Sequence, residues 1–397
     1  MQKESSTIVY KREVNSKRGV NKIALFILLI GSTFQYGDII VSRWFIPMVS
    51  VIFCWIILFL YQKKFNKLQY QIFLFHMFSF IVFSLISYFG NSTSSEYIFD
   101  LSKLFLAFSI SFLAFYFITK IDTKTVFKYL LIMLYFSILF LFLELYGRFS
   151  AHGFDFSRLF QGFFYYLKFN SPFMNDSNAT ALYALFYMIV SIYLLQLKNN
   201  EFKKQVYIIF FLFFLFIIAT FSRSVIITAF LLLFFLIYGK FDKKSKIFLS
   251  FIIAYVFVFV FIYIYHFVSS DGSGITKLNV IKQTIQIAPT LDFKAFLLGF
   301  GINEGNYIYS YEKGAYSHLL FPMVLGQFGL LGLVSYTLFF TIFYFLTKGY
   351  YFIYLLAVFV AGLSYLQPFL ESIFLVNGIL LGLYYHKNLN KEENKNE

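Results

Sequence analysis

A single arginine inside an otherwise apolar run limits how this chain can fold. Residues Val206 to Tyr238 form a 33-residue apolar stretch interrupted only by Phe221-Ser-Arg-Ser224. As one helix the stretch would be ~50 Å long, well beyond the ~30 Å hydrocarbon core of a bilayer. It is therefore expected to fold back at the Ser-Arg-Ser, leaving two halves of roughly 16 residues, or ~25 Å, each. Halves that short place the hairpin tip below the membrane surface. A guanidinium at that depth is costly and marks Arg223 as a functional position. The alternative is a structural arginine that pairs with loop carbonyls or with Glu144.

The rest of the sequence agrees with a membrane setting. Hydrophobic residues make up 60% of the 397 and charged residues 13%, outside the range of soluble globular domains. Apolar spans are expected to start near Lys22, Phe45, Tyr70, Leu101, Val126, Asn178, Gln205, Arg223, Ile247, Gln327, Tyr350 and Phe369, giving one all-α polytopic membrane domain over residues 1–397 with about 12 transmembrane helices. The basic segment Met1–Lys22 precedes an apolar run without a small-residue cleavage site, so it reads as an uncleaved first span.

The net charge of +14 is a topology signal and not a nucleic-acid patch. Placing the N-terminus and alternate loops in the cytoplasm puts 23 of the 33 Lys+Arg there against 8 acidic residues, and leaves 10 basic and 11 acidic residues outside. This lysine-rich inner face predicts cytoplasmic N- and C-termini. A periplasmic phosphatase fused at Lys391 is accordingly expected to be inactive and one inserted near Asp292 active; activity at Lys391 would invert the topology.

Arginine runs the other way. Arg12 and Arg18 fall inside, whereas Arg43, Arg148, Arg158 and Arg223 fall outside, where their planar forks suit phosphate or carboxylate. Two outer segments are long enough to carry function, 147–177 and 269–316. The larger starts at Ser269-Ser-Asp-Gly-Ser-Gly274 and continues into a short amphipathic helix, about Ile275–Ala288. In it Ile275, Leu278, Ile281, Ile285 and Ala288 recur at three- or four-residue spacing, and Pro289 closes it. It is expected along the outer surface with Lys277 and Lys282 turned outward or toward a cleft.

Other features sort quickly. Ser222 is placed to cap the helix that Arg223 opens, and a helix N-terminus beside an arginine attracts anions. His318, in Ala315-Tyr-Ser-His318, stands where the large loop re-enters the membrane; it either holds a structural hydrogen bond or moves a proton. Pro322 with Gly326, Gly329 and Gly332 predicts a short helix, a break and a full span. His76 and Cys54 read as core. No His/Cys/Asp/Glu spacing forms a metal set, and Gly299-Phe-Gly301-Ile-Asn-Glu-Gly305 is neither on the right side nor after a strand for a nucleotide loop. No metal or other cofactor is expected.

Four motifs in order, Phe173-Met-Asn-Asp-Ser-Asn178-Ala-Thr-Ala181, Thr220-Phe-Ser-Arg223-Ser, Leu298-Gly-Phe-Gly-Ile-Asn-Glu-Gly-Asn306, and Ser317-His318 followed by Gly326-Gln-Phe-Gly-Leu-Leu-Gly332, resemble the Wzy-type O-antigen polymerase and O-antigen ligase superfamily over about residues 170–335. The resemblance implies a GT-C-like helical fold and a metal-independent inverting glycosyltransferase in the bacterial inner membrane, acting outside it on undecaprenyl-pyrophosphate-linked oligosaccharide. It makes Arg223 and His318 the expected catalytic pair. Arg158, Asn178, Ser222, Ser224, Lys277, Lys282 and Tyr316 are the candidate substrate-binding residues, with membrane lipids and a chain-length regulator protein as partners. One departure is clear: many members carry an arginine after the Ser-Gly of the large loop, where this chain has Ile275. Polymerase is the expected activity; a ligase transferring polymer to a lipid A core, or a lipid-linked oligosaccharide flippase, are the rivals. A flippase should show basic residues lining the bundle centre and a two-lobed repeat, and neither is visible.

Overall fold

The computed structural model describes residues 19–34, 44–61, 65–90, 94–151, 153–155, 174, 176–197, 201–238, 242, 272–312, 315–363 and 366–396. Within them the secondary structure is helical: α1 Gly19–Thr33, α2 Phe45–Tyr61, α3 Lys67–Phe89, α4 Ser94–Lys120, α5 Thr123–Ser150, α6 Ser177–Leu195, α7 Lys203–Ala219, α8 Arg223–Tyr238, α9 Gly272–Ile287, α10 Phe293–Leu298, α11 Leu320–Leu346, α12 Phe352–Gly362 and α13 Glu371–Asn396. Five of these, in α3, α4, α5, α6 and α11, are long and apolar enough to cross a membrane. The chain is thus a helical, multi-pass membrane protein.

Most helices start within a few residues of the expected positions; the span expected near Ile247 and the segment around Arg158 lie outside the described residues. One start is corrected: α4 begins at Ser94, seven residues ahead of Leu101. α11 begins at Leu320 with the expected short helix, Pro322 falling in its first turn, where a missing N–H forfeits no helical bond. The expected break is present as a kink inside α11, at Gly329 with φ 61° and ψ −164°. α5 likewise runs on to Ser150, so the outer segment drawn from 147 opens with helix.

α4 and α6 are buried around most of their circumference, which fits helices that are apolar on every face. Gly378 and Gly382 of α13 let it approach α4 closely: a Cβ at Gly378 would collide with the Ser111 carbonyl, and one at Gly382 with the Ile118 side chain. One polar seam crosses this core. His76 Nδ1 is 2.9 Å from the Ile72 carbonyl, its Nε2 is 2.8 Å from Ser111 Oγ, and Asn377 Nδ2 donates to the same Oγ at 2.8 Å. All three bonds have matched donors and acceptors when His76 is neutral with its proton on Nδ1, so this histidine is structural. Cys54 is buried too, its Sγ 3.3 Å from the Ala24 carbonyl.

The outward surface is strongly apolar, with Phe59, Leu60, Phe78, Ile208, Phe211 and Phe345 all exposed. Such a belt is stable only against lipid. α7 and α8, of 17 and 16 residues, form the expected hairpin and are each only ~25 Å long. Their turn is tight, with Phe221 at φ 54°.

Candidate functional site

One end of the bundle gathers the C-terminal ends of α3 and α5, the N-terminal ends of α6, α8 and α11, and the large loop that holds α9 and α10. The loop is located by backbone. Phe300 N–H donates to the Gly326 carbonyl and Gly301 N–H to the Gln327 carbonyl, both at 2.9 Å. A Cβ on Gly299, Gly305, Gly326 or Gly329 would overlap main-chain atoms of the facing segment, so the glycine-rich stretch is a close-packed backbone junction. Ile302 N–H reaches Asp100 Oδ2 at 2.9 Å, and Ser87 Oγ donates to the same oxygen at 3.1 Å.

From this junction the fixation passes to His318. Gln327 Nε2 donates to Asn306 Oδ1 at 2.6 Å, and the Asn306 carbonyl accepts both the N–H and the hydroxyl of Ser317, at 2.9 and 2.8 Å. Leu319 N–H then bonds back to the Ser317 carbonyl at 2.8 Å, closing a γ-turn with His318 at its centre at φ 58°. This positive-φ γ-turn is strained. Four non-glycine residues have positive φ among those described, Phe154, Phe221, His318 and Lys348; two of them belong to the Ser-Arg-Ser turn and the histidine. Strain retained at such positions is a mark of function. The His318 carbonyl accepts Leu366 N–H at 3.3 Å, and its ring centroid lies 5.9 Å from that of Tyr316, which in turn lies 4.7 Å from Tyr307.

The α6 N-terminus supplies the facing wall. Asp176 is its N-cap, accepting Asn178 N–H at 3.1 Å on Oδ1 and Asn178 Nδ2 at 2.9 Å on Oδ2. That grip aims the remaining amide oxygen of Asn178 at the hairpin tip, where Ser222 Oγ donates to it at 2.7 Å. Arg223 is the next residue, exposed, and opens α8. The Ser222 carbonyl accepts Ile226 N–H at 2.9 Å, so α8 begins here and its unbonded first-turn amides add positive potential at the end that carries Arg223. Ser222 therefore ties the hairpin to α6, and this bond stands in place of the side-chain capping expected of its hydroxyl. Ser224 contributes its carbonyl, which accepts Thr228 Oγ1 at 2.7 Å.

Beneath lies a buried ion pair. Arg148 Nε and Nη2 donate to Glu144 Oε1 at 2.8 and 2.7 Å, and Nη2 also reaches Thr180 Oγ1 at 2.7 Å. The two side chains are only 2% and 1% exposed. Glu144 is thus engaged by an arginine of its own helix, and the pair holds the first turn of α6 through Thr180.

His318 is half-buried. Burial lowers its pKa from the ordinary value, Asp176 opposes this by raising it, and Lys277 lowers it further. The imidazole is accordingly neutral at pH 7 and able to accept a proton. This electrostatic coupling brings Lys277, Asp176 and His318 into one neighbourhood. Lys282 does not share it: five residues along a helix it is about 140° away from Lys277, and it is exposed where Lys277 is half-buried. The expected equivalence of the two lysines is corrected by helix phase. Ile275, Leu278, Ile281 and Ile285 are exposed on α9 while Val280 is buried, so the helix shows an apolar edge to the membrane and turns Lys277 inward.

Sequence reasoning missed Glu144 and Arg148 as a pair, although an i,i+4 carboxylate and guanidinium in an apolar helix is a readable signal. It also missed Asp100, Asn306 and Gln327, for which the sequence offers no local cue. Among the described residues no three His, Cys, Asp or Glu side chains converge as metal ligands. In comparison with known proteins, the chain matches no protein-family model and no curated protein.

Proposed function

We propose that the chain is an O-antigen polymerase, an inverting glycosyltransferase that joins undecaprenyl-pyrophosphate-linked repeat units at the periplasmic face of the bacterial inner membrane. Twelve spans, a GT-C-like arrangement and cytoplasmic termini belong to the same proposal. The observation that carries it is the convergence, at one end of an apolar bundle, of a clamped neutral histidine with the Asn178–Ser222 bridge that fixes the turn bearing Arg223.

The chemistry follows from these groups. A sugar hydroxyl of the acceptor unit attacks the anomeric carbon of the donor glycan, its proton passes to His318, and the bond from that carbon to the pyrophosphate oxygen breaks. Undecaprenyl pyrophosphate departs with its charge met by Arg223, the α8 N-terminus and Lys277. Attack opposite the leaving group inverts the anomeric centre. A lipid-linked donor explains why the cationic groups sit at the end of a short membrane hairpin.

A deletion strain tests the reading. A single repeat unit on the lipid A core supports a polymerase; bare core with accumulated long lipid-linked polymer identifies a ligase, and repeat units trapped in the cytoplasm a flippase. A pH profile tests the base. Activity should fall on the acid side as His318 protonates, with the limb below pH ~6.5 because its pKa is lowered. Lys277→Gln removes a lowering influence and should move that limb to higher pH, while Asp176→Asn, which keeps a competent cap, should move it to lower pH. Initial rates from pH 5 to 8 with purified protein and synthetic lipid-linked repeat units measure this, and an acid limb that neither variant moves would remove His318 as the base.

A further inference from the structure

At the opposite end of the bundle is a crevice of about 260 Å³ between the start of α3, the last turns of α4, the end of α11 and α13. That volume falls just short of small-molecule sites, which start at ~300 Å³, and suits a stretch of acyl chain. Its walls are Leu68, Ile72, Phe115, Leu346 and Leu381, and its polar edge is formed by Tyr384, Tyr385 and Asn388. α11 spans 27 residues from the His318 end to Leu346, ~40 Å along its path, and the straight stretch after the kink at Gly329 alone covers ~25 Å. The crevice is therefore a membrane thickness away from the candidate site and has no share in it.

Three observations define the occupant. The crevice opens beside the lipid-facing belt, because Leu68, Tyr70, Phe345 and Leu346 around it are exposed. Its polar edge adjoins a positioned cation: the Tyr384 ring lies 5.5 Å from that of Tyr350, and Lys387 Nζ sits 4.8 Å from the Tyr350 centroid. The segments that meet there, residues 65–72, 344–352 and 381–388, contain Lys67, Lys348 and Lys387 and no Asp or Glu. An apolar slot reached from the bilayer, edged by hydroxyls and an amide and then by cations, matches an acyl chain joined to an anionic headgroup.

We propose that this crevice is a binding site for an anionic phospholipid, with one acyl chain between α3 and α13 and the phosphate beside Lys387 and the tyrosine edge. The site is independent of the glycosyl-transfer reading and would hold a lipid of the leaflet opposite to that chemistry.

The test uses the full-length protein purified in a mild detergent and incubated in mixed micelles with equal amounts of phosphatidylglycerol and phosphatidylcholine of identical acyl chains. Retained lipid is counted by native mass spectrometry. The wild type should retain phosphatidylglycerol about fivefold over phosphatidylcholine, the preference that one lysine near an anionic headgroup confers. Lys387→Gln should abolish the preference and Lys387→Arg should preserve it. Leu68→Trp, at an exposed position that tolerates a large side chain, should block the slot and lower retention of both lipids. Equal retention by the wild type would overturn the proposal, as would unchanged retention in Leu68→Trp. So would an equal loss of preference in Lys128→Gln, an exposed lysine of α5 elsewhere on the protein, since that would mean a diffuse field and not a site.

Discussion

Exchange of Arg223 for lysine is expected to slow glycosyl transfer roughly 30- to 1000-fold, or ~2–4 kcal/mol, although the charge is kept. The reasoning is geometric. A guanidinium presents two parallel N–H donors to a pyrophosphate, whereas an ammonium presents one mobile point charge. Once a bound lipid-linked substrate covers this exposed arginine, water is displaced from it and the lost bond is not replaced by solvent. A structural arginine would behave differently, because a lysine at the exposed first position of α8 can also reach loop carbonyls and satisfy the hairpin. Initial rates with synthetic lipid-linked repeat units decide between the two. A lysine variant within about threefold of wild type, a difference under ~0.7 kcal/mol, would exclude bidentate contact.

The second large effect concerns stability. Glu144→Ala removes the carboxylate from Arg148 and leaves a guanidinium that is 2% exposed with its principal counter-charge gone. Breaking one side of a buried pair in this way costs about 3–5 kcal/mol. The double replacement Glu144→Leu with Arg148→Met should recover most of that loss, since a buried pair replaced by apolar groups of similar volume is often neutral or better. Folded fraction during titration with a denaturing detergent, followed by circular dichroism, measures both. A single variant that loses under ~1 kcal/mol would show the pair to be dispensable. Because Arg148 also holds Thr180, the single variant should loosen the α6 N-terminus and lower activity beyond its loss of folded protein.

Local features of this molecule are legible in the sequence where a short-range physical rule governs them. The hairpin break at Phe221-Ser-Arg-Ser224 follows from length against bilayer thickness, and the helix does open at Arg223. The kink at Gly329 follows from a proline and spaced glycines, and α9 follows from its three- and four-residue apolar spacing. What the sequence does not give is which distant groups meet. Asp100 and Ile302 are 202 residues apart and joined by one hydrogen bond; Asn178 and Ser222 are 44 apart. Nothing at either position announces its partner. The spacing of Lys277 and Lys282 sets them about 140° apart on α9, but only the orientation of the helix on the bundle shows which of them turns inward.

The junction between the large loop and α11 has a bearing on how such a site changes over evolutionary time. Its register is held by carbonyls, amides and the absence of side chains at Gly299, Gly305, Gly326 and Gly329. Main-chain contacts carry no information about the intervening residues. The exposed Glu304 can therefore be exchanged without shifting Asn306, Ser317 or His318. Under the proposed glycosyl transfer, the loop lets the surface offered to an acceptor be rewritten for a new sugar while the frame around His318 keeps its place.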